Sequence, residues 1–146
     1  MTHKGFLPTI VLASSSPRRR EIMGGVENRV EAVAHRAREG PSKPGETAAE
    51  YVARLASEKA ATDRSQVSGD VLLAADTIVA LGDRLFGKPR SEGEARTMLN
   101  ALRGRTHSVL TGVFVRDLHT DKCVTEVKES AVEMRRYNAR EIARYL

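Results

Sequence analysis

Tryptophan is absent from these 146 residues, cysteine occurs once, and the aromatics amount to three phenylalanines and three tyrosines. A lone Cys123 leaves no internal disulfide framework and suits a reducing cytosol; its strand-like surroundings predict a packed, inert thiol. The few aromatics are scattered, whereas platforms for single-stranded nucleic acid cluster them beside basic residues, so nucleic acid is an unfavoured partner. No apolar run approaches the roughly 20 residues that span a bilayer, and Met1 to Pro8 lacks the charged-then-apolar order of a signal peptide. Zinc spacings, a Walker sequence and a dinucleotide-binding glycine motif are all missing.

What remains is a basic, globular chain. With 40% hydrophobic and 29% charged residues it reads as one folded domain, 1–146, able to bury roughly 70% of its unfolded surface. The formal net charge of +5 favours anionic partners without separating a nucleotide from a larger polyanion.

The junction from Thr9–Ala13 into Ser14-Ser15-Ser16-Pro17-Arg18-Arg19-Arg20 is the densest signal. Ser16 suits a helix N-cap and Pro17 the first helical position. The free amides of that first turn attract anions. Three hydroxyls and three guanidinium groups surround them, and the arginine fork matches phosphate oxygens. A phosphorylated ligand is the expectation; an ordinary capped helix with solvated arginines is the alternative.

Further along, Val30–Ala34 reads as a short strand and 36–45 as a loop. Thr47-x-x-Glu50 is a capping box opening a helix whose apolar stripe, Ala48, Tyr51, Val52, Leu55 and Ala56, ends in Lys59. A lysine there snorkels to water or meets an anion. Ser65–Gly69 reads as a turn. Val71–Ala75 is a strand covered on both faces, expected to break at Asp76-Thr77 and resume at Ile78–Leu81. Gly82-Asp83 predicts a hairpin returning through Leu85-Phe86. Ala95, Met98, Leu99 and Leu102 mark a helix closed by Gly104. His107–Val115 is a second buried strand, and Val124–Met134 a polar one near an edge. Asn138 and Glu141 open a last short helix. Strands alternating with helices predict an α/β fold around a central sheet.

Asp76 is the leading catalytic candidate, because a carboxylate inside an apolar strand is costly unless paired or bound to a cation; a strand-end aspartate capping a turn is the alternative. Glu39 could complete a carboxylate pair around magnesium, which takes a few carboxylates plus substrate phosphates. Lys59 and Lys88, the latter fixed between Gly87 and Pro89, are candidate phosphate contacts. His107 is expected to be a hydrogen-bonded structural residue, and Glu126 and Glu133 to face solvent.

Taken together, Leu12–Arg19, Glu46–Ala60, Ala75–Val79, Gly87-Lys88-Pro89 and the run Ala95–Val113 resemble the Maf family of nucleoside triphosphate pyrophosphatases, in order and spacing over nearly the whole chain. The resemblance implies an elongated, twisted mixed sheet flanked by helices, a central nucleotide cleft, and frequently a homodimer. It implies a divalent cation, Mg2+ or Mn2+, and cleavage of the α–β anhydride to a nucleoside monophosphate and pyrophosphate. Asp76 falls on the general base and metal contact, and Glu39 on an acidic metal position. Ser14, Ser16, Arg18, Arg19, Lys59, Thr77 and Lys88 fall on substrate contacts. Arg18 after Pro17, with Thr77 after Asp76, looks like the branch acting on dTTP and UTP rather than on 7-methyl-GTP. Two features depart from the family pattern: Arg36 and Arg38 stand where it carries acids, and the family continues past the equivalent of Leu146 with a Gly-Glu-Pro stretch, a lysine and a glutamine that contact substrate. A chain ending there is expected to leave one side of the cleft open. An impaired nucleotide- or nucleic-acid-binding relative is the alternative to an active enzyme.

Overall fold

The computed structural model describes residues 6–34, 39–61 and 67–146. Along the chain run β1 (Ile10–Ala13), α1 (Pro17–Met23), β2 (Val30–Val33), α2 (Ala48–Lys59), β3 (Val71–Leu81), β4 (Arg84–Phe86), α3 (Glu92–Leu102), β5 (Thr106–Asp117), β6 (Cys123–Glu133) and α4 (Ala139–Tyr145). This is the expected α/β architecture. The described strands form one mixed sheet in the order β2-β1-β3-β5-β6, with β4 also paired to β3. β1 lies parallel to β2 and β3, while β3–β4, β3–β5 and β5–β6 are antiparallel.

Local chemistry accounts for the helix starts. Ser16 caps α1 by accepting the Arg19 amide, with Pro17 at the first position. In α2 both capping-box bonds form: Thr47 Oγ1 accepts the Glu50 amide at 3.1 Å, and Glu50 accepts the Thr47 amide at 2.8 Å. Asn138 and Glu141 repeat the device on α4. Gly82, at φ +56°, makes the β3–β4 turn that right-twisted strands favour, and Gly104, at φ +65°, ends α3.

The expected break at Asp76-Thr77 does not occur. β3 runs unbroken through both residues, with Asp76 opposite Gly112 and Thr77 opposite Thr111. Successive side chains leave a strand on opposite faces, so each polar group finds its own partner and the ladder is kept. On the Asp76 face α2 packs closely. A Cβ on Gly112 would stand 2.6 Å from the Val52 carbonyl oxygen, so only glycine admits the helix at this depth. Two apolar clusters form under α2. Val11, Ala13, Ala56, Leu72, Ala74 and Phe114 belong to one; Val52, Leu55, Ile78 and Leu110 belong to the other. Asp76 lies on β3 between the residues of these clusters, so charge interrupts the core there and nowhere else along the described strand.

Two further expectations are corrected. Cys123 is exposed at the start of β6, its Sγ accepting from Arg116 Nε at 3.3 Å, because β6 is an edge strand with most of its side chains in solvent. His107 is buried as expected, but its Nδ1 has no hydrogen-bond partner. Glu126 and Glu133 do face solvent. Arg36, Arg38 and the first half of the Ser65–Gly69 turn lie outside the described residues. No described helix is long and apolar enough to cross a membrane.

Candidate functional site

A gap in the sheet makes room for the site. β5 covers one side of β3 from Val71 to Ala80, so β1 and β4 must share the other side. β1 pairs with β3 only as far as Leu73, and β4 pairs with it from Val79 onward. Between them no described strand lies beside the β3 edge, and a cavity of about 850 Å3 opens there. Its lining includes Ser14, Ser16, Arg18, Arg19, Glu39, Lys59, Asp76, Thr77 and Lys88. Every residue expected at the site therefore meets in a single cleft.

One wall is the serine–arginine turn. Ser14, almost wholly buried, accepts the Ser16 amide on its Oγ at 3.1 Å and donates its own amide to the Val33 carbonyl. Arg20 reaches back to the Ser14 carbonyl at 3.3 Å. Arg19 does not point freely at the cavity. Its Nη1 donates to the Ala75 carbonyl at 2.8 Å and its Nη2 to Thr77 Oγ1 at 3.2 Å. Thr77 Oγ1 lies 3.0 Å from Thr111 Oγ1 in turn. The Ala75 carbonyl sits on the strandless edge and needs a donor, which Arg19 supplies; this arginine braces the turn against β3. Arg18 has no partner among the described residues and is exposed, and the same holds for Lys88, which also lines the cleft. Since α1 spans only two turns, the wall owes its positive character chiefly to these side chains.

The other wall is α2 with the segment before it. Lys59 Nζ lies 3.0 Å from Glu39 Oε1 and 3.0 Å from Asp76 Oδ1. The lysine at the end of the apolar stripe thus meets two anions from the chain itself. Lys59 and Asp76 are each 8% exposed at the side chain, and Glu39 is 47% exposed. Asp76 Oδ1 also accepts the Thr77 amide at 2.8 Å, while Oδ2 is buried with no partner. An orphaned carboxylate oxygen beside a second carboxylate fits a divalent cation completed by ligand oxygens. Among the described residues no cluster of three or more acidic, histidine or cysteine groups offers a metal cage; the carboxylates they bring to Lys59 are Asp76 and Glu39.

Sequence reasoning missed the residues supporting this wall. Tyr51, read as core stripe, lines the cleft and donates its hydroxyl to the Gly40 carbonyl at 2.8 Å. Burial, then the nearby charge of Glu39, raises its pKa above the ordinary phenol value. Arg54 grips Glu46 through Nε–Oε1 at 2.7 Å and Nη2–Oε2 at 3.0 Å. With the Arg54 hydrogen bonds and the Lys43 amide on it, the Glu46 carboxyl is pushed down to about 2. The spacing of Arg54 and Glu58 was the one visible hint, an i,i+4 pair on a helix.

Fold and cleft together define an α/β protein that holds an anion-seeking turn against a lysine-bridged carboxylate pair. The family model described as Maf-like protein matches residues 9–146, and the chain belongs to that family. Relatives named dTTP/UTP pyrophosphatase include one from Myxococcus xanthus, 47% identical over 82% of this chain and 60% of its own length. Another from Clostridioides difficile is 39% identical over 94% of this chain and 70% of its own, and one from Pyrococcus abyssi is 42% identical over 94% and 71%. The chain therefore spans only part of the length of these relatives. The Ham1 protein of Staphylococcus aureus superposes with a TM-score of 0.54 at 14% identity, covering 86% of this chain and 71% of that one; this likeness concerns the fold alone.

Proposed function

We propose that the cleft hydrolyses nucleoside triphosphates, dTTP and UTP in the first place, to the monophosphate and pyrophosphate. The names of the relatives support the substrate class, and one observation carries the chemistry: Asp76, whose buried Oδ2 has no hydrogen-bond partner, lines a cavity together with Arg18 and Lys88, which have no partner among the described residues.

Phosphoryl chemistry asks mainly for charge neutralisation and an aligned nucleophile. Arg18 and Lys88 bind the phosphate oxygens, and Ser14 and Ser16 keep the turn in shape. Asp76 Oδ2 accepts the proton of the water that attacks the α-phosphorus. Thr77 leaves β3 on the other face, its hydroxyl steadied by Arg19 and Thr111. Lys59 keeps the two carboxylates together before the ligand arrives. Asp76 and Glu39 are the groups that would hold Mg2+ or Mn2+. When bound, that ion supplies neutralisation of the phosphate charge. A cytoplasmic location suits the free, exposed thiol of Cys123, and assembly as a homodimer follows the family resemblance.

The test is pyrophosphate release from a panel of nucleoside triphosphates with added Mg2+, for this chain and for Asp76→Asn. The expected result is preferential turnover of UTP and dTTP, lost by about 10²–10⁴-fold in the variant while nucleotide binding persists. Unchanged turnover in Asp76→Asn removes the aspartate as base. Nucleotide binding without turnover by the unmodified chain favours a binding role instead.

A further inference from the structure

Residues 39–46 contain no helix or strand, yet α2 fastens them at several points. Tyr51 donates its hydroxyl to the Gly40 carbonyl at 2.8 Å, and Arg54 Nη2 donates to the Pro41 carbonyl at 3.2 Å. The same guanidinium holds both oxygens of Glu46, whose Oε2 also takes the Lys43 amide at 2.7 Å. From the other side Arg54 Nη1 donates to Glu58 Oε1 at 2.9 Å, and the guanidinium lies 5.3 Å from the centre of the Tyr51 ring. The bonds to Gly40, Pro41 and Glu46 anchor the stretch that follows Glu39, while Glu58 and the Tyr51 ring hold the guanidinium on α2. The Glu39 side chain itself lines the cleft, is 47% exposed, and has Lys59 as its ion-pair partner among the described residues.

We propose that Arg54, helped by Tyr51, is a positioning residue that holds Glu39 at the cleft, so that affinity for the divalent cation depends on a guanidinium touching neither cation nor nucleotide. The inference rests on the reading of Glu39 as a cation contact. It requires arginine specifically. A planar fork binds two carboxylate oxygens of Glu46, the Pro41 carbonyl and Glu58 at once, whereas an ammonium on a flexible stem cannot span them. Partners that orient a metal ligand typically set metal affinity by 10–100-fold.

The test measures Mn2+ binding to the folded chain by electron paramagnetic resonance, with a non-hydrolysable UTP analogue present. Arg54→Lys, Tyr51→Phe, Glu39→Gln and the double variants are compared. Arg54→Lys is expected to weaken Mn2+ by about tenfold, and Tyr51→Phe by less, with turnover at saturating cation largely kept. In the Glu39→Gln background neither change should weaken Mn2+ further, because both act through that carboxylate. Wild-type affinity in Arg54→Lys, or an equal further loss on top of Glu39→Gln, overturns the proposal. If Arg54→Lys does not fold, Tyr51→Phe, which deletes one hydroxyl, carries the same cycle. Unchanged Mn2+ binding in Glu39→Gln, or none in the unmodified chain, also overturns it. Pyrophosphate release lost in Asp76→Asn would still stand as separate support for the hydrolase reading.

Discussion

The two walls of the cleft handle positive charge in opposite ways. On the turn wall the arginines meet only neutral groups or nothing: Arg19 and Arg20 bind carbonyl and hydroxyl oxygens, and Arg18 has no partner among the described residues. On the helix wall the two cations of α2 are matched by acids, Lys59 by Glu39 and Asp76, Arg54 by Glu46 and Glu58. A wall with uncompensated charge awaits an anion from outside. A wall whose cations are already outnumbered by their own acids belongs to the fold, and keeps its carboxylates gathered for a cation. Removing a positive group should therefore cost ligand affinity on one side and stability on the other.

Lys59→Met is the strongest way to break that contrast. It leaves Asp76 buried with its main partner gone, and uncompensated buried charges of this kind typically cost about 3–5 kcal/mol. Urea denaturation should show the loss without any nucleotide present; a variant as stable as the parent would mean that Lys59 belongs with Arg18, as a group waiting for phosphate. Gly112→Ala comes next. Its new Cβ would press on the Val52 carbonyl at 2.6 Å, and displacing packed backbone costs typically about 1–3 kcal/mol. Because α2 would have to lift from β5, the thermal midpoint should fall and nucleotide affinity should fall with it, since Lys59 moves too.

These two residues also mark where sequence reading ran out. The α2 capping box was plain, and so was Lys59 as the odd member of an apolar stripe, since both are local patterns. That Lys59 would reach Asp76 was not, because the meeting depends on a register between distant strands and on the missing side chain at Gly112. Asp76-Thr77 read as a break for the same reason: polarity along one strand says nothing of what faces it across the sheet. Arg19 was grouped with Arg18 as a phosphate contact, and only the strandless edge at Ala75 separates the brace from the free arginine. Most of the polar residues that line the cleft could be picked out one by one, Tyr51 excepted, while the contacts among them were tertiary.

Arg18→Ala sharpens the comparison from the other side. An exposed side chain without partners should change stability by no more than about 0.5 kcal/mol. If it binds phosphate, its loss removes a charge-assisted hydrogen bond, commonly a 10–100-fold effect on affinity, read by titrating the non-hydrolysable UTP analogue. Instability in this variant would erase the distinction between the walls.

The smallest effect serves as a control away from both walls. His119 Nε2 lies 2.7 Å from Asp70 Oδ1, and Asp70 Oδ2 accepts the Thr9 amide at 2.7 Å. This clasp ties the turn after β5 to the start of β3, six residues and about 20 Å along the strand from Asp76. The hydrogen bond to Asp70 raises the His119 pKa, so its contribution is full below the ordinary value of 6.5 and fades as pH rises through the raised one. The bond to His119, then the Thr9 amide, lowers the Asp70 pKa, so that contribution is present above 3.8 and is lost as pH falls through the lowered value. Both act together between these limits. The thermal midpoint of His119→Asn should therefore lag the parent most near about pH 5 and converge with it in alkaline buffer. Nucleotide affinity should stay unchanged throughout, because the clasp touches neither wall. A drop in affinity that follows the same pH curve would mean that the far end of β3 is mechanically coupled to the cleft, and that the walls cannot be treated as the independent parts their charge partners describe.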